Sequence, residues 1–180
     1  MSKILIISGS PASVSRTAAI ASFVSNILVE RGNEAEQLSV RDFPAEALLH
    51  AQFNHPEIKK AQQIVEQSDA LIVVSPVYKA SFPGILKSFF DLLPEKSLDG
   101  KKVLAIASGG SIAHLLTLEY AFKPLFSTLG AREIPQGVYL VDSQFSYSGE
   151  QLKFTDLHLK ERLESALDEL HTSLNLLFKY

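Results

Sequence analysis

Three continuous apolar runs, residues 4–7, 71–74 and 103–107, carry no alternating polar positions. A strand covered on both faces reads this way, so a parallel sheet with helices on each side is expected. Ile20, Phe23, Val24, Ile27 and Leu28 recur at helical spacing, and Gly32 offers a C-terminal stop. Phe82, Ile85, Leu86, Phe89, Phe90 and Leu93 do the same ahead of Pro94. The pattern predicts a third helix over 112–129, a last one over 156–177, and weaker strands near 36–40 and 138–141. Residues 42–56, with two prolines and two histidines, read as an irregular excursion holding one helical turn.

Strands alternating with helices in 180 residues predict one domain over residues 1–180. The expected fold class is α/β, a flavodoxin-like three-layer α/β/α sandwich with a five-stranded parallel sheet in the order 2-1-3-4-5. Ligands in such sheets bind beyond the carboxyl ends of the strands, where the winding reverses. The loops after the three strong strands should therefore meet at one edge.

The first of these loops is SGSPASVSRT, residues 8–17. A helix N-terminus presents free N–H groups and favours an anion. Ser10, Ser15 and Thr17 add hydroxyl donors, and Arg16 adds a charged fork suited to phosphate. Neither a P-loop nor a G-x-G-x-x-G turn is present, so a terminal monophosphate is the simpler guest. The alternative is that Ser13 or Ser15 only caps a helix. The second loop, SPVYKASFPG at residues 75–84, is bounded by prolines that stiffen it. Pro76, Val77, Tyr78 and Lys79 follow the strand end, and Tyr78 with Phe82 could line a flat aromatic ligand. The third loop is Ser108-Gly109-Gly110-Ser111, whose glycines allow close backbone approach. His114 follows one turn into the next helix and is expected to face the same cleft. A monophosphate loop, a rigid aromatic loop and a Gly-Gly loop together describe a site for FMN.

Composition narrows the field. The net charge is -3 with no Lys/Arg run, so nucleic acid and anionic membranes are not expected partners. There is no cysteine, which removes disulfides, thiolate metal sites and thiol redox chemistry, and fits a cytoplasmic location. The first apolar run is too short for a signal peptide, and no stretch has the length of a membrane span. His50 and His55 lack acidic partners at metal-ligand spacing, so no metal site is expected.

G-S-P…S-R-T after the first strand, P-V-Y-K-A-S-F-P-G after the third and S-G-G-S-I-A-H after the fourth resemble the NAD(P)H-dependent FMN reductases. Within them, the reductase components of two-component alkanesulfonate monooxygenase systems are most similar. The resemblance extends over residues 48–53, 86–95 and 113–124. It implies FMN and NADPH (or NADH) as cofactors, a homodimer or homotetramer, and reduced FMN handed to an FMNH2-dependent monooxygenase. Ala12 stands where the family often carries arginine, which leaves Arg16 as the side-chain charge of loop one. Hydride would pass from the nicotinamide to FMN, chemistry that needs positioning but no obligatory protein acid or base.

Pro124 falls inside a helical pattern, where its ring crowds the carbonyl of Tyr120. The ladder must bend there or widen into a π-bulge. The resemblance implies a π-helix with Tyr120 at an oligomer interface near a flavin, and so a flavin-tuning role for Tyr120. Two other functions use a similar site: an FMN-retaining quinone or azo reductase, and a flavodoxin-like electron carrier.

Overall fold

The computed structural model describes residues 1–176. Five strands form one parallel sheet: β1 (Lys3–Ser8), β2 (Glu34–Ser39), β3 (Ala70–Pro76), β4 (Lys102–Gly109) and β5 (Val138–Val141). Their order is β2-β1-β3-β4-β5, the expected 2-1-3-4-5. The apolar runs are the buried central strands, and their side chains divide between the two faces of the sheet. Leu5, Ile7, Leu71, Val73, Val103 and Ala105 face α2 (Ala45–Leu49), α3 (Pro56–Gln67), α4 (Gly84–Asp91) and α5 (Lys123–Thr128). Ile4, Ile6, Ile72, Val74, Leu104 and Ile106 face α1 (Arg16–Glu30) and α6 (Leu157–Leu176). Each such Ile or Leu contributes about 1.5–3 kcal/mol by leaving water, and this double burial is why the runs do not alternate.

The helices depart from expectation in three places. First, α3 lies in a stretch assigned no element by the sequence pattern. His55 caps it by accepting from the Glu57 N–H at 3.3 Å, and Pro56 occupies its first turn, where a missing N–H costs nothing. Ile58, Ala61 and Val65 are its buried face. The helical turn expected within 42–56 is α2.

Second, the helix expected over 112–129 is broken. It becomes a 3-10 turn at Ile112–His114, a π-helix at Leu118–Phe122, and α5. Ser111 accepts from the Ala113 N–H and starts the first turn. The Lys123 N–H reaches back five residues to the Leu118 carbonyl. That wider ring is one of the two solutions Pro124 allows.

Third, a two-stranded antiparallel ribbon, β6 (Phe145–Ser148) and β7 (Gln151–Phe154), precedes α6. Phe154 packs edge-on against Phe23 of α1 at 5.1 Å between ring centroids. The ribbon thus lies against the helix that begins at the first loop. The helix expected to start at Phe82 begins at Gly84, after Pro83, and residue 177 of the expected last helix lies outside the described residues.

Candidate active site

β1, β3 and β4 end side by side, and their loops meet over a cleft of about 260 Å³. Ser10, Ser15, Arg16 and Thr17 line it from the first loop, Pro76, Val77 and Tyr78 from the second, and Ser108, Gly109 and Gly110 from the third. Ten of the residues singled out from the sequence are thereby brought together.

Loop one is pinned at both ends. The Gly9 N–H donates to the Val74 carbonyl at 2.8 Å. A Cβ on Gly9 would stand 2.7 Å from Leu86 Cδ2, so glycine lets the loop lie against β3 and α4. The Ser10 hydroxyl accepts from the Ala12 N–H at 3.2 Å and is buried. The Ser15 hydroxyl accepts from Ala18 N–H at 3.1 Å as the N-cap of α1. The capping reading of Ser15 thus holds, Ser15 also lines the cleft, and the other N–H groups of the first turn have no partner within the helix. Arg41, beyond β2, braces the loop from outside through the Pro11 carbonyl at 3.3 Å.

Loop two owes its stiffness to more than its prolines. Tyr78 and Ser81 exchange two backbone hydrogen bonds, at 2.7 and 3.1 Å. Between them Lys79 and Ala80 both adopt left-handed backbone, φ 50° and 61°. This conformation costs about 1–2 kcal/mol for each non-glycine residue. It is held because Thr117, entering the π-helix, donates its hydroxyl to the Ala80 carbonyl at 3.2 Å. Tyr78 is left half exposed at the cleft. Phe82 turns inward instead, edge-on to Phe122 at 5.2 Å, and does not line the cleft as expected.

Loop three is tied to loop two by the Val77 N–H, which donates to the Ser108 carbonyl at 2.8 Å. A Cβ on Gly109 would fall 2.5 Å from Tyr139 Oη. That hydroxyl, on β5, donates to the Ser111 carbonyl at 2.9 Å and holds the Gly-Gly turn in place. Burial raises the Tyr139 hydroxyl above its ordinary pKa, and the negative charge of Asp142 adds to the effect.

Two lining residues escaped the sequence reading. Asp142 follows β5 directly, and its Oδ1 is 3.6 Å from Arg16 Nε. Tyr147 of β6 lies under the Arg16 guanidinium, 5.7 Å from carbon to ring centroid. The end of β5 brings Asp142 to the cleft, and the β6–β7 ribbon brings Tyr147.

Lys79 and Ser111 are exposed outside this cleft. His114 and Tyr120 line a neighbouring cleft of about 200 Å³ with Ala80 and Thr117. Ala80 belongs to loop two and His114 follows loop three, so this cleft adjoins the same loops while sharing no lining residue with the first. A larger cleft of about 450 Å³ lies at the opposite end of the sheet, between α3 and residues 94–101. There Lys101 Nζ donates to the Glu66 and Ser68 carbonyls at the end of α3, a helix-capping arrangement.

Residues 2–146 match the family described as NADPH-dependent FMN reductase. This chain belongs to that family. It is 48% identical over 173 residues to an FMN reductase (NADPH) of Pseudomonas putida, covering 95% of this chain and 87% of the relative. An FMN reductase (NADPH) of Escherichia coli is 39% identical, with 96% of this chain and 90% of the relative covered. Among solved structures, the apo form of an NADH:FMN oxidoreductase, EMOB, superposes with a TM-score of 0.87. It is 34% identical, and the match covers 96% of this chain and 90% of that one. The resemblance read from the three strand-end loops thus holds for the chain as a whole.

The donor set fits FMN. The free N–H groups at the start of α1, three hydroxyls and one guanidinium suit a monophosphate dianion. Loops two and three offer backbone edges and the half-exposed Tyr78 ring, at 49% relative exposure, to a flat heterocycle.

Proposed function

We propose that this protein reduces FMN at the expense of NAD(P)H and releases the product to a partner. The observation that carries this reading is the convergence of the three strand-end loops on one open cleft, with Arg16 at the N-terminus of α1. FMN, when bound, supplies the hydride-accepting ring, and NADPH or NADH supplies the hydride.

The chain's own residues bind and orient. The first turn of α1, Ser10, Ser15, Thr17 and Arg16 hold the phosphate. The paired turns of loops two and three, fixed by Val77–Ser108 and Tyr139–Ser111, fix the plane in which the ring lies. Fixed geometry is the main thing such a transfer asks of a protein. Backbone N–H groups at the ring edge would stabilise charge developing there. No acid or base is assigned. Lys79, Ser111 and His114 are read as bordering the ring or the nicotinamide once both are in place.

The openness of the cleft supports FMN as a substrate that leaves. We read the acceptor of reduced FMN as an FMNH2-dependent monooxygenase acting on organosulfur compounds, in the cytoplasm. Leu116 and Tyr120 are exposed at the second cleft, and Ile112 and Leu115 are exposed in the same broken helix, apolar surface that supports a homodimer or homotetramer. In such an assembly we read Tyr120 as influencing how FMN is held or released.

The experiment is desalting followed by turnover. A protein that emerges colourless and oxidises NADPH only with added FMN, in many-fold excess over enzyme, fits this reading. A protein that stays yellow and turns over only with a quinone or azo dye is the flavin-retaining reductase instead. One that stays yellow and oxidises no NAD(P)H under either condition is an electron carrier.

A further inference from the structure

The cleft holds one cationic and one anionic side chain among the described residues, and they face each other. Arg16 comes from the start of α1, and Asp142 from the turn after β5. Nε and Oδ1 are 3.6 Å apart, with the two side chains 46% and 29% exposed. Tyr147 backs the guanidinium from the ribbon. Three residues before Asp142, on β5, the Tyr139 hydroxyl is raised above its ordinary pKa chiefly by burial, with the charge of Asp142 adding to the shift.

A carboxylate at a phosphate site works against tight retention. It stands beside the guanidinium that the phosphate would use, and its charge opposes the positive end of α1. The fold does not require it there. Ser15 already caps α1. The turn after β5 is held by Gln144, whose side chain accepts from the Val141 N–H at 3.0 Å and donates to Asp156 at 2.7 Å.

We propose that Asp142 is an exchange-setting residue that competes with the FMN phosphate for Arg16. It lowers affinity for the phosphorylated flavin and leaves the affinity for riboflavin unchanged. The proposal rests on the FMN reading above and explains how a phosphate site can be built yet remain exchangeable.

The test is a four-protein cycle: wild type, Asp142→Asn, Arg16→Gln and the double variant. Dissociation constants for FMN and for riboflavin are measured by flavin fluorescence. Asp142→Asn should bind FMN about three- to ten-fold tighter and release it correspondingly more slowly. Its riboflavin affinity should not change. In the Arg16→Gln background the gain should vanish. An unchanged or weaker FMN constant overturns the proposal. So does an equal gain for riboflavin, or a gain that survives the loss of Arg16. Asp142→Ser, which removes the charge with a smaller side chain, must move FMN affinity in the same direction. A wild type that binds neither flavin removes the FMN reading itself. A wild type that binds FMN beside an indifferent Asp142→Asn removes only the role of Asp142.

Discussion

A single methyl group on Gly109 should be enough to disturb the third loop, and the structure says which atom would object. The new Cβ would lie 2.5 Å from Tyr139 Oη but 3.6 Å from Cζ of the same ring and 3.7 Å from Val77 Cβ. The last two are ordinary contacts. The hydroxyl alone is in the way. In Gly109→Ala the tyrosine must therefore move and release its hydrogen bond to the Ser111 carbonyl. Overpacking a tight site costs about 1–3 kcal/mol, and the lost bond about 1 kcal/mol. Tyr139→Phe alone removes only the bond and should cost about 1 kcal/mol. In the Tyr139→Phe background, Gly109→Ala should then cost almost nothing further. The two changes together should be less damaging than their sum by about 2–4 kcal/mol, a coupling that only contacting residues show. Thermal unfolding resolves this, because 1 kcal/mol moves the midpoint of a chain this size by about 2–4 °C. FMN affinity should follow the same order, with Gly109→Ala weakest. Strict additivity of the two substitutions, in stability and in FMN binding, would refute the argument that the hydroxyl sets the shape of this loop.

Other expectations follow from the same geometry. Tyr120 is 79% exposed, so Tyr120→Ala should leave unfolding within about 0.5 kcal/mol of wild type. FMN retention through a desalting column, or turnover, should change; wild-type values for both would remove the flavin-tuning role. Asp156 caps α6, accepting from Gln144 and from the N–H groups of His158 and Leu159. The Gln144 bond, with the backbone bonds, holds its carboxyl below the usual carboxylate range. The stability it contributes is therefore present above the unfolded pKa and is lost as pH falls through the lower folded value. Asp156→Asn should flatten that acid limb of the unfolding curve, and an unchanged limb would contradict the assignment. Thr117→Val should loosen the left-handed Lys79–Ala80 turn by removing the bond to the Ala80 carbonyl, seen as faster proteolysis within residues 75–84.

The parts of the site that were legible in the sequence are those built from strand ends. Residues 4–7, 71–74 and 103–107 could be read because burial on both faces leaves no polar interruption. The loops that follow them inherit their position from the sheet. Pro124 was legible too, because a proline ring inside a helix has few outcomes, and the π-helix at Leu118–Phe122 is one of them. What could not be read is tertiary. Asp142 reaches Arg16 from the end of β5, and Tyr147 because residues 145–154 fold into the β6–β7 ribbon, which packs on α1 through Phe154. The stretch does carry a hairpin signal that the sequence reading passed over: Phe145, Tyr147, Leu152 and Phe154 alternate with polar residues around Gly149 and Glu150. Helix α3 left a fainter signal: Pro56 at a first turn and Ile58, Ala61 and Val65 on one face. His55, weighed only as a metal ligand, is its cap. Phe82 looked like a wall for a flat ligand, yet a phenylalanine between the loop and the core gains more by burial against Phe122.

The central claim is that FMN is a substrate held by its phosphate at loop one. The most direct measurement is the rate of NADPH oxidation by desalted protein against free FMN and, separately, free riboflavin, for wild type and Arg16→Gln. The account predicts saturation with FMN in both proteins, with KM for FMN raised about tenfold in Arg16→Gln and little change for riboflavin. A rate independent of added FMN would contradict the claim that FMN is a substrate. An Arg16→Gln protein with the wild-type KM for FMN would contradict the placement of its phosphate.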